Sequence, residues 1–279
     1  MVVHLLLIEA DNARNLGGSC MRDLVNLEKY MDAFSTKNNI NRGQTFILSI
    51  DNAANLSSKF VTKNAVYDKL ANYKTNFQNF VSNVKNQDIV VILVSGHGYQ
   101  KFSNNNEADR LDEFISFNSG AIVDDDFNLL LLKKLGNASR VFCLIDTCHA
   151  ATMFDNDVNK YTNVYSLGAC RDNQLDSCDI GNNTGFGGAL TVHLLDIQDA
   201  MTSLLLGTNA QIQVVVNTIT NIIKPLNQTP VLILPYIAPV PAKPVPAPAK
   251  PVPAPAKPVP APAKPKVVKS VNRNFRLHN

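Results

Sequence analysis

The sequence predicts an α/β fold in which a mostly parallel central sheet is flanked by helices on both faces. Two observations predict it: short apolar runs rich in Val, Ile and Leu, which are typical of buried parallel strands, and helical patterns between those runs. The chain has 279 residues, 45% of them apolar, which is enough for one sizeable core or at most two. This excludes a wholly disordered chain and a small disulfide-stapled domain.

The strand candidates are short and bounded by polar residues. The first run lacks the cationic start and small-residue cleavage site of a signal peptide, and it is too short to span a membrane. Five cysteines without a CxxC pair indicate reduced thiols. We therefore expect a cytoplasmic protein without a membrane span. The predicted strands are Val2–Ile8, Thr45–Ile50, Ile89–Val94, Val141–Ile145 and Val231–Leu234, with Asn163–Leu167 as a weaker candidate.

Helices are predicted between the strands. Apolar residues at alternating steps of four and three predict a long helix from Val66 to Val84. The same spacing predicts a helix that includes Leu24 to Phe34. Three consecutive aspartates, Asp124–Asp126, suit the start of a helix that runs to about Lys134.

The composition divides the chain into a body and a tail. All 15 prolines lie at or after Pro225, and residues 237–279 carry eight basic and no acidic residues, so the tail has a charge of +8 and the body −5. The unit Lys-Pro-Val-Pro-Ala-Pro-Ala begins at Lys243, Lys250 and Lys257, which predicts a polyproline II or disordered tail. Such a tail is a spacer, or a ligand for an aromatic-lined groove or an anionic surface. Phe275 is its single aromatic residue, which argues against nucleic-acid binding.

Two of the predicted strands lead directly into reactive side chains. Ser95-Gly96-His97-Gly98 follows one, and Asp146-Thr147-Cys148-His149 follows the other. If these strands are parallel neighbours, His97 and Cys148 emerge at one edge of the sheet, where such folds bind ligands. Imidazole can then take the thiol proton, and the N–H groups of Gly98 and Cys148 are candidate donors to an oxyanion. The alternative is that each side chain is structural.

At these motifs the chain resembles the metacaspases, a family of the caspase-like fold, over residues 1–236. Ser95–Gly98 is similar to the family's Ser-Gly-His-Gly block, and Asp146–Ala150 to its Asp-x-Cys-His-Ser-Gly block. Several other blocks follow in the family's order. They are Asp109–Glu113, Ile122–Asp125, Gly168–Gln174, Gly188–Thr191 and Gln228–Pro230.

The resemblance implies a cysteine endopeptidase with Cys148 as nucleophile and His97 as base. It also implies cleavage of polypeptides after Arg or Lys by means of an acidic pocket, and activation by Ca²⁺. Arg14, Arg22 and Arg171 lie near the pocket segments in sequence, so specificity for Asp stays open. The residues implied for the pocket are Cys20, Asp23, Ser95 and Asp146, and those implied for calcium are Asp112, Asp124, Asp125 and Asp155.

Four residues depart from the family's pattern. Ala150 and Ala151 stand where the family has Ser and Gly after the Cys-His pair, Gly168 stands in place of a Ser, and Arg110 stands in place of a Gly in the block Asp109–Glu113. The first two departures favour an alternative hypothesis, a non-proteolytic caspase-like scaffold that binds partners through the fold and the tail.

Overall fold

A computed structural model describes most of the first 235 residues. Met1–Ala238 forms one compact unit, and the remaining unit, Pro239–Asn279, lies outside the described residues. The conformation predicted for the tail therefore stays a prediction. The described residues are 1–11, 16, 18–50, 53–62, 64–102, 111–138, 140–151, 153, 161–171, 173–176, 180–182 and 185–235.

The strands and helices alternate along much of the chain. The strands are β1 (Val2–Ala10), β2 (Asn41–Ser49), β3 (Val66–Lys69), β4 (Ile89–Gly96), β5 (Gly98–Phe102), β6 (Leu111–Phe117), β7 (Gly120–Val123), β8 (Arg140–Thr147), β9 (Val164–Gly168), β10 (Ile180–Asn182), β11 (Gly185–Gly187) and β12 (Val231–Ile233). The α-helices are α1 (Ser19–Asn38), α2 (Ala53–Leu56), α3 (Tyr73–Val81), α4 (Asp124–Phe127), α5 (Ala189–Asp196), α6 (Ala200–Leu206) and α7 (Asn209–Ile223). Short 3₁₀ turns cover Leu70–Asn72, Leu135–Asn137 and Lys224–Leu226, and a π-helical turn covers Asn128–Leu132.

Seven strands form the central sheet, in the order β12-β9-β8-β4-β1-β2-β3. Every neighbouring pair is parallel except β12 with β9, which is antiparallel. The sheet confirms the mostly parallel α/β prediction. Its central strands are buried on both faces, which explains why they appear in the sequence as continuous apolar runs.

The core has two halves, one on each face of the sheet. Val91 and Leu93 of β4 pack into the half that includes α1, α5, α6 and α7. Val90 and Ile92 alternate with them and pack into the opposite half, where Phe77 of α3 is fully buried. Helical layers on both faces were predicted, and the structure confirms them. No helix in the described part of the chain is long and apolar enough to cross a membrane.

The structure corrects the long helix predicted from Val66. Its first four residues form β3, which pairs in parallel with β2 so that Val66 lies opposite Phe46. The α-helix begins only at Tyr73. The open edge of β2 offers hydrogen bonds to the backbone of Val66–Lys69, and this pairing overrides the helical spacing of its apolar residues.

A second sheet was not predicted and begins one residue after His97. β5, β6 and β7 form an antiparallel sheet of three strands. The segment predicted as one helix from Asp124 divides into α4 and the π-helical turn. The polar faces of β5 and β6 hid these strands from a search for continuous apolar runs.

Candidate active site

Strand register brings His97 and Cys148 to the same edge of the sheet. In the parallel pair of β4 and β8, Ser95 lies opposite Asp146 and Gly96 opposite Thr147. His97 and Cys148 are the next residues of the two strands, so they leave the sheet at the same step. Both residues line the same cavity. The edge is the carboxyl end of the parallel strands, where ligands of such sheets bind.

The backbone around Cys148 is tightly packed. A Cβ atom added to Gly98 would lie 2.0 Å from the carbonyl oxygen of Cys148, so only glycine fits at position 98. His149 has a φ of 54°, in the left-handed region, and its N–H donates to the carbonyl of Gln174 at 3.3 Å. The N–H of Asp176 donates to the Cys148 Sγ at 3.3 Å. The nucleophile candidate is therefore held by two segments that are distant in sequence.

Cys148 differs in exposure from the other described thiols. Burial raises the pKa of Cys20 and of Cys143 far above the ordinary thiol value, and it raises the pKa of Cys170 to about 12. Cys148 is only half-buried and faces the cavity. None of these four cysteines forms a disulfide. Among the described thiols, Cys148 is the one placed to react with a molecule from solution.

His97 is positioned by β1, the neighbour of β4. Its N–H donates to the carbonyl of Ala10 at 3.0 Å, and its carbonyl accepts from the N–H of Ser116 at 3.2 Å. The ring Nε2 lies 3.9 Å from Oδ1 of the fully buried Asp11. Sequence reasoning missed Asp11, although its place directly after β1, at the same edge of the sheet, was a usable signal.

The four residues predicted for substrate binding all line the same cavity: Cys20, Asp23, Ser95 and Asp146. Asp23 is fully buried and accepts hydrogen bonds from the Ser95 Oγ at 2.8 Å and from the Gly188 N–H at 3.0 Å. Asp146 accepts from the Thr191 N–H at 2.7 Å. Both backbone donors belong to the start of α5, where unpaired N–H groups stabilise negative charge.

Asp23 is strongly perturbed by its surroundings. Burial and the neighbouring charge of Asp146 raise the pKa of Asp23 well above the usual carboxyl range. A third carboxyl, Asp176, lines the cavity as well. It was not predicted, because it lies on a segment of the chain without helical or strand periodicity.

Comparison with known proteins places this arrangement in a family. The model of the metacaspase, peptidase C14 domain matches residues 6–157, which include both His97 and Cys148. The chain belongs to the metacaspase family. Metacaspase-2 of Trypanosoma brucei brucei is 29% identical over 147 residues, which are 40% of this chain and 42% of that protein. Metacaspase-2 of Arabidopsis thaliana is 32% identical over 80 residues, 27% of this chain and 19% of that protein.

The chain thus matches less than half of the length of these curated metacaspases. A solved structure supports the fold over a longer range. The crystal structure of protein GSU0716 from Geobacter sulfurreducens superposes with a TM-score of 0.52 and covers 86% of this chain and 95% of that one. At 20% sequence identity, this likeness supports the fold alone.

Of the carboxylates that the metacaspase resemblance implies for calcium, the three that lie in the described residues, Asp112, Asp124 and Asp125, do not line this cavity. Asp112 pairs with Lys101 at 3.6 Å, and Asp124 accepts the N–H of Asp125 at 2.8 Å. Within the described ranges, no three His, Cys, Asp or Glu side chains are placed to hold one metal ion. Asp155, the fourth predicted ligand, lies outside the described residues. The calcium ligands therefore stay a prediction.

Two of the departures from the metacaspase pattern, Ala150 and Gly168, lie against each other, and Arg110 lies outside the described residues. Ala150 is fully buried and Ala151 nearly so. A Cβ atom added to Gly168 would lie 2.9 Å from the carbonyl of Ala150 and 3.1 Å from its Cβ. The glycine on β9 thus leaves room for the segment that follows Cys148, and the edge of the sheet accommodates both departures.

Proposed function

We propose that this chain is a cysteine endopeptidase that cleaves polypeptides after Arg or Lys, with Cys148 as nucleophile and His97 as general base. The observation that carries the proposal is the shared register step of β4 and β8, which directs both side chains to one cavity. The family membership supports the same reaction class. The alternative in which each side chain is structural does not account for that shared cavity.

The proposed reaction uses two proton transfers at one imidazole. His97 takes the thiol proton, and the Cys148 thiolate attacks the substrate carbonyl. His97 then gives its proton to the leaving amine, and water hydrolyses the resulting thioester. Asp11, whose Oδ1 lies 3.9 Å from the His97 Nε2, orients the ring and stabilises its charged form. Gly98 and Cys148 supply the N–H groups for the oxyanion.

The chemistry of the cavity supports a basic side chain before the scissile bond. Asp23 and Asp146 face the cavity, and no arginine or lysine occurs among its described lining residues. Arg171 is exposed and Arg22 does not line the cavity, whereas Arg14 lies outside the described residues. A guanidinium or ammonium group can pair with the buried carboxylates, while an aspartate side chain would be repelled by them.

Calcium activation is the part of the proposal that depends on the sequence resemblance. The described residues support it in one respect. Asp112 is the second residue of β6 and Asp124 directly follows β7, so both lie at one end of that hairpin. These oxygen donors suit Ca²⁺ in type. They do not complete a site by themselves, so no step of the proposed reaction is assigned to the ion.

The non-proteolytic scaffold is the weaker hypothesis. It depends on Ala150 and Ala151, and Gly168 accommodates this segment while Cys148 keeps access to the cavity. A scaffold has no requirement for a half-exposed thiol beside a histidine.

Hydrolysis of a peptide with Arg before a fluorogenic amine tests the proposal. The wild-type chain, with millimolar calcium, is expected to release the fluorophore, and Cys148→Ala is expected to lose the activity. Cys143→Ala is the matched control, because Cys143 is a buried thiol outside the cavity, and it should keep the activity. Equal hydrolysis by wild type and Cys148→Ala would contradict the assignment, as would a wild type that also fails to react with a thiol-directed arginyl peptide inhibitor.

A further inference from the structure

The cavity contains one acidic side chain that the proposed recognition of Arg or Lys does not require. Asp176 lines the cavity beside Asp146, and the two carboxyl groups are within hydrogen-bonding reach of each other. Asp146 is 2% exposed. Its Oδ2 accepts the Thr191 N–H, whereas its Oδ1 is buried without a hydrogen-bond donor in the described part of the chain.

Two ionised carboxylates in this position would be unstable. They would repel each other, and the unsatisfied Asp146 Oδ1 would carry the cost of a buried acceptor without a donor. A single proton held between Asp146 and Asp176 removes both difficulties, because the protonated carboxyl donates to the ionised one.

The groups around Asp176 keep the proton there. The side-chain amide of Gln228 donates to the Asp176 Oδ1, which favours the ionised carboxyl, and the Asp176 N–H donates to the Cys148 Sγ. Burial, Asp146 and Cys148 outweigh the Gln228 contact and raise the pKa of Asp176 well above the usual carboxyl range. A nearby cation would favour the ionised form of Asp176. The buried thiol of Cys170 carries no positive charge, and no lysine or arginine occurs among the described residues that line the cavity.

The segment that carries Asp176 is fixed to the end of the sheet. The Gln174 side chain donates to the Asn227 carbonyl at 3.1 Å and accepts from the Thr229 N–H at 3.1 Å. These contacts hold the segment next to Gln228, just before β12. The carboxyl of Asp176 is thus placed by contacts of the Gln174 side chain, which do not depend on the charge of Asp176.

On the basis of the proposed function, we infer that Asp176 is a further specificity-determining residue that donates a proton to Asp146 in the absence of substrate and releases this proton when a guanidinium or ammonium group enters the cavity. The cation stabilises both carboxylates in their ionised forms, and the proton passes to the solvent. Below the raised pKa of Asp176, the affinity for a basic side chain therefore falls about tenfold for each unit by which the pH decreases. A neutral side chain cannot displace the proton, so the pair also discriminates against neutral substrates.

Calorimetric titration of acetyl-arginine amide into the full-length Cys148→Ala chain tests this inference. The substitution prevents turnover and removes the thiol as a source of protons. Titrations in buffers of different ionisation enthalpy give the number of protons released per bound ligand. We expect about one proton at the acidic end of the range from pH 5.5 to pH 8, with a decline as pH rises.

Two further variants, each combined with Cys148→Ala, identify the source of the proton. Asp176→Asn keeps the backbone N–H and the shape of the side chain, and we expect it to release about one proton fewer than its parent on binding and to show an affinity that depends less steeply on pH. Asp199→Asn removes an exposed carboxyl that pairs with Lys37 on the surface, and we expect it to behave as its parent.

The outcomes separate this inference from the proposed function. Binding without proton release, or undiminished release in Asp176→Asn from Asp23 or His97, would overturn the role of Asp176 and leave the specificity for Arg intact. If Asp176→Asn does not fold, proton release in its Cys148→Ala parent still decides whether the shared proton exists. No binding of the ligand, together with no hydrolysis by wild type, would overturn both.

Discussion

Aspartates gather in two regions of this molecule, at the carboxyl ends of β4 and β8 and at one end of the β6–β7 hairpin. In the first region Asp23 and Asp146 are buried around a cavity and accept hydrogen bonds from backbone N–H groups. In the second, Asp112 pairs with Lys101 and Asp125 is exposed to water. Asp124 of the second region is buried and accepts the N–H of Asp125, while solvent and a lysine balance the charge of its neighbours. The first region has no lysine or arginine in its described lining. We therefore propose that several buried acids without a lysine or arginine partner, more than the number of aspartates, mark the place for a basic ligand.

Removal of one carboxylate from the buried region should have the largest effect. We expect Asp23→Asn to lower kcat/KM for an arginyl substrate by about a hundredfold or more, because a buried partner of the substrate's charge is lost. Asp199→Asn, a surface carboxylate, should stay within about twofold of wild type. Equal values for Asp23→Asn and wild type would contradict the recognition of Arg by this pocket.

Asp23→Asn should also change how the stability of the folded chain depends on pH. The pKa of Asp23 is raised in the folded state. Above the usual carboxyl range there is therefore a pH window in which the folded chain still holds this proton and the unfolded chain has lost it. This group's contribution therefore falls as pH rises through that window. The melting temperature of Asp23→Asn relative to wild type should increase from pH 5 to pH 8. A constant difference over that range would show that Asp23 is not perturbed.

Asp11 differs from the aspartates of both regions. It is buried, but its carboxylate lies beside the ring of His97. We expect Asp11→Asn to lower kcat by at least about tenfold with KM unchanged, since it removes the charge that orients His97 without altering the substrate pocket. Steady-state kinetics at several pH values measures the effect. A rise in KM at constant kcat would instead place Asp11 in substrate binding.

The hairpin region should show the smallest effect, in the form of a dependence on calcium. If the predicted ligands bind Ca²⁺, the ion at a hundredfold excess over its Kd stabilises the fold by about 2.7 kcal/mol, or roughly 5–10 °C in Tm. Asp125→Asn should reduce that shift, whereas Asp23→Asn should keep it. Unchanged melting and activity from micromolar to millimolar calcium would exclude the site.

Much of the buried architecture could be predicted from the sequence, because strands covered on both faces must be apolar throughout. Ile89–Val94 and Val141–Ile145 extend by two residues at their carboxyl ends in the structure, and these extra residues include Ser95 and Asp146. Periodicity alone was misleading at Val66, where the edge of β2 supplies a pairing partner that the local sequence does not reveal.

The site was only partly predictable for a similar reason. The motifs that follow the strands identified His97, Cys148 and Asp146, and the resemblance to the metacaspases added Asp23. Asp176 owes its place to contacts with Cys148 and Gln228, at sequence separations of 28 and 52 residues. Such contacts arise from loop conformation and leave no periodic signal in the sequence.

Mapping the bonds that the chain cuts tests the central claim most directly. A peptide library incubated with wild type and, in parallel, with Cys148→Ala gives the residue before each cut by mass spectrometry. The register of β4 and β8 and the acidic lining of the cavity predict Arg or Lys at that position in wild type and no cuts with the variant. Cuts after Asp, cuts without preference, or the same cuts with Cys148→Ala would contradict the account.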